Sequence, residues 1–163
     1  MSGALPRELH LHVGLPKTGT TYLQRCLALN ADAFTADGFA LGPMQDAGGA
    51  HHRLAWMARD EGAEAMAQVL DAARGERLLV SSEVFSDLLA RPERAAELHR
   101  ALAPRFKTVI HVTLRRPDLM KESAYAEVAK NEDPATTAAT YATAAEGLRK
   151  VGAYSSAVMA LKK

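Results

Sequence analysis

The segment Gly14-Leu15-Pro16-Lys17-Thr18-Gly19-Thr20-Thr21 constrains the fold of this chain more than any other. It follows an apolar run, Leu9 to Val13, that reads as a buried strand. It opens an amphipathic stretch, Tyr22 to Leu29, that reads as a helix. A strand, a glycine-bearing turn and a helix start together form an anion site. The first N–H groups of a helix have no intrahelical partner, and the helix dipole places partial positive charge beside them. The rest of the chain repeats the alternation. Arg77 to Ser81 and Lys107 to Leu114 are two further apolar strand candidates. Like the first, they read as strands buried on both faces. Helical stretches lie between them at Thr20–Asn30, His51–Arg59, Ala63–Arg74, Val84–Leu89, Glu93–Ala103 and Leu119–Lys130. After a break at Asn131-Glu132-Asp133-Pro134, an alanine-rich helix is expected from Ala135. This order implies an α/β fold with a parallel sheet and helices on both sides. Asp32 to Gly49 carries four glycines and one proline. It reads as a loop with a short strand at Phe39–Leu41.

Composition narrows the function classes. The 163 residues suffice for one domain with a core. With 20 Lys+Arg against 19 Asp+Glu, the net charge of +1 lacks the field of a general nucleic-acid binder. Aromatic residues at 6% argue against a base-stacking surface. The single cysteine, Cys26, excludes an internal disulfide and a cysteine-cluster zinc site. No stretch reads as a signal peptide or membrane span, so a cytoplasmic location is expected. The last segment, Tyr154 to Lys163, reads as a helix with no capping glycine or following strand. The expectation is one domain over 1–163, incomplete at its C-terminal end.

The loop chemistry is specific. Gly14 and Gly19 have the spacing of the nucleotide-triphosphate loop G-x-x-x-x-G-K-[ST], but Thr20 stands where that motif needs lysine. The lysine comes earlier, at Lys17. The loop is suited to a phosphate and poorly suited to gripping a β,γ-phosphate with Mg²⁺. A second strand-like run, Val109 to Leu114, leads into Arg115-Arg116-Pro117, with Ser123 further on. Arg115 can form a bidentate contact to a phosphate and Ser123 can donate a hydroxyl hydrogen bond. Pro117 suits a first helical position. Alternatively, Arg115 is a helix-terminal arginine paired with Asp118 or Glu122, and Arg116 competes with it for a phosphate. Glu83 follows the second strand candidate, where ligands of open α/β sheets bind, and is a candidate general base. It also fits an ordinary acidic residue near a helix start. His51 and His52 are the other candidates, because histidine titrates near neutral pH. They equally suit surface or capping positions.

Pro16-Lys17-Thr18-Gly19-Thr20-Thr21 resembles the loop that binds the 5′-phosphosulfate of 3′-phosphoadenosine 5′-phosphosulfate (PAPS) in PAPS-dependent sulfotransferases of the bacterial, P-loop type. Arg115 and Ser123 are similar in spacing to that family's 3′-phosphate motif. The resemblance runs from about Leu9 to Lys130. A further basic, glycine-containing loop usual near the family's C-terminus has no match here.

The resemblance implies a three-layer α/β/α, P-loop nucleotide-hydrolase-like fold. It implies transfer of a sulfuryl group from PAPS to a hydroxyl or amine of a small-molecule or glycan acceptor, without a metal. No nucleic-acid or membrane partner is expected. Pro16, Lys17, Thr18, Gly19, Thr20, Thr21, Arg115 and Ser123 are then the cofactor-binding residues. Lys17 stabilises the leaving phosphate, and Glu83, His51 or His52 acts as the base. Some sulfotransferases carry histidine at the place of Glu83, and glycan and tyrosyl-protein types often carry glutamate. Two alternatives remain: a P-loop nucleotide kinase-like enzyme, and a non-catalytic nucleotide- or anion-binding module.

Overall fold

The computed structural model describes residues 7–131. Four strands, β1 (Arg7–His12), β2 (Phe39–Leu41), β3 (Arg77–Ser81) and β4 (Phe106–His111), form one sheet in the order β2-β3-β1-β4. All three pairings are parallel. The connecting helices are α1 (Thr20–Leu29), α2 (Ala31–Ala36), α3 (His52–Asp60), α4 (Ala63–Ala72), α5 (Phe85–Leu89), α6 (Pro92–Leu102) and α7 (Pro117–Asn131). Proline opens both α6 and α7, where its fixed φ suits a helix start and its missing N–H costs nothing.

Side-chain alternation along the strands sorts the two faces. Leu9 and Leu11 of β1 pair in register with Leu78 and Val80 of β3. All four are fully buried in one core with Leu54, Met66, Leu70, Phe85 and Leu98 from α3 to α6. The opposite face carries His10, His12, Arg77, Ser81 and His111. There Phe34 of α2 meets Phe39 edge-on, and Phe39 in turn meets His10. Helices therefore lie on both faces of the sheet.

Chain direction locates the site. From the end of β1 the chain leaves through α1 toward β2 at one edge. From the end of β3, its neighbour, it leaves through α5 and α6 toward β4 at the other. Adjacent strand ends whose connections depart in opposite directions leave a crevice between them, the favoured ligand position in open α/β sheets.

The expected strands all form, but two expectations are corrected. The first concerns Asp32 to Gly49, whose start is not loop, because α2 spans Ala31–Ala36. Asn30 breaks α1 at φ −114° and turns its side-chain amide back onto the Cys26 carbonyl. The alanines that follow then start a second helix. The second concerns burial. Strand β4 is exposed along much of its length, as the edge strand of the described sheet. Strand β1 is apolar on one face only. Strand β4 also ends at His111, not Leu114, although Thr113 still exchanges backbone hydrogen bonds with Gly14 and Leu15. The helix expected from Ala135 lies outside the described residues. No helix among the described residues is long and apolar enough to cross a membrane.

Candidate active site

The loop after β1 is built from left-handed backbone. Gly14, Lys17 and Gly19 have φ of +76°, +65° and +89°. At Gly14 the need for glycine is also steric. A Cβ there would lie 2.6 Å from the Glu83 Cβ and 2.9 Å from its Cα, so the ends of β1 and β3 touch backbone to backbone. Thr18 does not cap the helix. Its hydroxyl donates to the Leu15 carbonyl at 2.5 Å and closes the turn. Gly19 is the N-cap residue of α1, and no side-chain oxygen caps that helix start. Pro16, Gly19 and Thr21 are exposed, Lys17 and Thr18 half-buried, and Thr20 buried. The result is a turn followed by an uncapped helix N-terminus, a donor arrangement fitted to an anion.

Lys17 has two carboxylate neighbours. Its ammonium is ion-paired with Glu127 of α7. Burial draws its pKa below the ordinary lysine value, and the Glu83 charge opposes that shift.

Glu83 sits in the turn between β3 and α5, at the β1/β3 crevice. Its Oε2 accepts a hydrogen bond from the Gln24 side-chain amide at 2.9 Å. Its Oε1 lies 3.9 Å from His52 Nε2. The His52 Nδ1 is 2.8 Å from the Ser82 hydroxyl, whose oxygen also accepts from the Val84 N–H. When Ser82 donates to Nδ1, the His52 Nε2–H faces Glu83 on one side and Asp46, at 4.0 Å, on the other. Trp56, one turn along α3, lies beside His52 with ring centroids 5.8 Å apart.

The structure separates the two adjacent histidines. His51 is 1% exposed and held by backbone. Its Nδ1 accepts from the Ser81 N–H at 3.2 Å, which requires Nε2 to carry the proton it donates to the Gly42 carbonyl at 3.0 Å. Both ring nitrogens are thereby engaged. Burial draws the His51 pKa below the usual histidine value. His12, at the end of β1, plays a similar part. It bridges the Ser81 hydroxyl at 2.8 Å and the Thr113 hydroxyl at 2.5 Å, stitching β1 to its neighbours beneath the loop.

Arg115 and Arg116 also divide. Arg116 pairs with Asp118 in the first turn of α7. Arg115 donates to the Lys17 carbonyl at 3.1 Å, which brings its guanidinium to the loop. Ser123 is half-buried on α7 and forms no hydrogen bond to the loop among the described residues. Arg115 thus touches the Lys17 backbone, and His52 stands beside Glu83, whose backbone meets the loop at Gly14. His51 belongs to the packing beneath them. Sequence reasoning passed over Gln24, Ser82, Asp46 and Glu127. Gln24 and Glu83 are 59 positions apart, so no local pattern announces their contact. Among the described residues, no group of three or more His, Cys, Asp or Glu side chains is arranged to hold a metal ion. Comparison with protein families, curated sequences and solved structures found no match to this chain.

Proposed function

We propose that this chain is a PAPS-dependent sulfotransferase-like domain of P-loop type. It transfers a sulfuryl group to a hydroxyl or amine of a small-molecule or glycan acceptor. The observation that carries the reading is the meeting of a cation-bearing anion loop with a carboxylate at the β1/β3 crevice. Gly14 brings the two into contact, and Lys17 feels the charge of Glu83. The donor set fits a nucleotide with phosphates at both ends. The α1 start and the Thr18 to Thr21 segment suit the 5′ end, and the sulfotransferase resemblance assigns Arg115 and Ser123 to the 3′ end.

When bound, PAPS supplies the sulfuryl group and departs as adenosine 3′,5′-bisphosphate. Lys17 contributes positive charge where negative charge develops on the leaving phosphate. Glu83 accepts the acceptor's proton, with Oε1 as the oxygen left open by Gln24. His52, held by Ser82, flanks that oxygen. His51 has no free ring nitrogen for the same task.

Calorimetric titration tests the ligand class. Adenosine 3′,5′-bisphosphate should bind without Mg²⁺ and more tightly than ATP–Mg²⁺. Preferential, metal-dependent ATP binding would overturn the reading in favour of a kinase-like enzyme. Arg115→Ala should weaken adenosine 3′,5′-bisphosphate about tenfold to a hundredfold while adenosine 5′-phosphate changes little, since a charge-assisted contact is worth roughly 1.5–3 kcal/mol. Equal losses for both ligands would remove Arg115 from the 3′ end. Binding without sulfuryl transfer to a broad acceptor panel would favour a non-catalytic module.

A further inference from the structure

We infer that Gln24 is a positioning residue that fixes the Glu83 carboxylate in one orientation, so that its two oxygens have different tasks. The inference rests on the proposed role of Glu83 as base. Gln24 stands on the inner side of α1, one turn after Thr20, and is only 3% exposed. A polar side chain at a buried helix position carries a desolvation penalty unless it is paired. Here the pair is specific. The Gln24 Nε2 donates to Glu83 Oε2 at 2.9 Å, across 59 residues of sequence, and joins α1 to the turn after β3. A carboxylate accepts this charge-assisted bond more strongly than a neutral oxygen would. With Oε2 engaged, Oε1 is the oxygen that faces His52 and remains able to take a proton.

The position of Gln24 adds a mechanical consequence. The same helix carries the uncapped N-terminus of the anion loop and, one turn later, the amide that holds the base. Its other side is fixed as well. A Cβ on Gly49 would lie 2.4 Å from the Gln24 carbonyl oxygen, so the 46–50 turn that supplies Asp46 is packed directly on the Gln24 backbone. Nucleotide loop, base and the turn beside His52 are thereby referred to one rigid turn of helix. Alignment of this kind is worth far more in turnover than in affinity.

The test has a kinetic arm and a spectroscopic arm, both on the full chain. In single-turnover sulfuryl transfer from PAPS, Gln24→Met should lower the rate roughly tenfold to a hundredfold, with adenosine 3′,5′-bisphosphate affinity within about threefold of the parent. The double variant with Glu83→Gln should be no slower than Glu83→Gln alone, because Gln24 acts through Glu83. Additive losses, or nucleotide affinity that falls in step with the rate, would overturn the inference in favour of general packing. Gln24→Asn keeps a polar amide but shortens its reach by one methylene, and should reproduce the defect if Gln24→Met fails to fold. The second arm needs no activity. The Gln24 side-chain amide resonances should move on Glu83→Ala, and unmoved resonances would overturn the pairing. If the parent chain transfers nothing while those resonances respond, the proposed reaction fails and the Gln24–Glu83 contact stands.

Discussion

At the scale of single residues, Lys17 combines backbone strain with charge. It is a non-glycine residue at φ +65°, a conformation that costs on the order of 1 kcal/mol and persists only where surroundings enforce it. The Thr18 hydroxyl on the Leu15 carbonyl and the Arg115 contact to the Lys17 carbonyl do the enforcing. The Lys17 ammonium is ion-paired with Glu127, and the charge of Glu83 also favours its protonated form. A bound anion would compete with Glu127 for that cation. The pair is exposed on the Glu127 side and partly shielded on the Lys17 side, so its worth is about 0–1 kcal/mol. Glu127→Gln should therefore tighten adenosine 3′,5′-bisphosphate binding by no more than about fivefold in titration. Weaker binding would show that Glu127 supports the loop. Lys17→Ala should lower turnover on the order of 10²–10³-fold and affect product affinity far less, as expected of charge that matters most in the transition state. Glu83→Gln should lower turnover about 10²–10⁴-fold with nucleotide affinity nearly unchanged. Near-normal transfer by that variant would shift the base to His52. That Lys17, Arg115 and Glu83 come after strand ends was legible in the sequence, because each follows an apolar run. The division of labour in the pairs His51/His52 and Arg115/Arg116 was not. Adjacent residues of one type are separated only by which side of the backbone the fold turns inward.

At the scale of elements, the strand–turn–helix unit from β1 to α1 is set by glycine at two points that differ in kind. Gly14 and Gly19 both have positive φ, but a side chain on Gly14 meets the Glu83 backbone, whereas one on Gly19 meets open space. Gly19→Ala should cost only left-handed strain, roughly 1–2 kcal/mol. Gly14→Ala adds a collision between β1 and β3 and should cost distinctly more. Urea unfolding of the two variants compares them directly. Equal midpoints would show that the β1/β3 crevice can relax, and with it the contact that aligns the loop and Glu83. The elements themselves were largely legible, since strands and helices alternate with different periods and several of the breaks between them carry glycine or proline, as at Gly14, Gly62 and Pro92. The short helix α2 was hidden because the glycines and proline after it made the whole stretch read as loop. The exposure of β4 was hidden because position within a sheet is a property of topology, and a run of apolar residues does not report it.

At the scale of the whole molecule, stability is tied to pH through buried histidines that sit between the sheet and the site. Burial is the leading cause that lowers the pKa values of His12 and His51. The folded chain thus disfavours their charged forms, while the unfolded chain protonates them near the ordinary value of about 6.5. The unfolded state binds more protons in that range, so stability is fully present above about pH 6.5 and is lost as pH falls toward the lowered folded values. The slope from each such group can reach about 1.4 kcal/mol per pH unit. Exposed carboxylates paired with cations, such as Glu64 with Arg105, also lose stability on acidification, but their lowered pKa values place that loss in a more acidic window. Denaturant unfolding between pH 7.5 and 5.5 isolates the histidine contribution. His51 is the sharper test, because protonating its Nδ1 breaks the Ser81 N–H hydrogen bond that joins the start of α3 to β3. His51→Gln removes the titrating ring and leaves an amide able to donate toward Gly42. It should be less stable than the parent at pH 7.5 yet lose less between pH 7 and pH 5.5. An unchanged slope would show that His51 is not held neutral beneath the site, and would return it to the candidates for proton transfer.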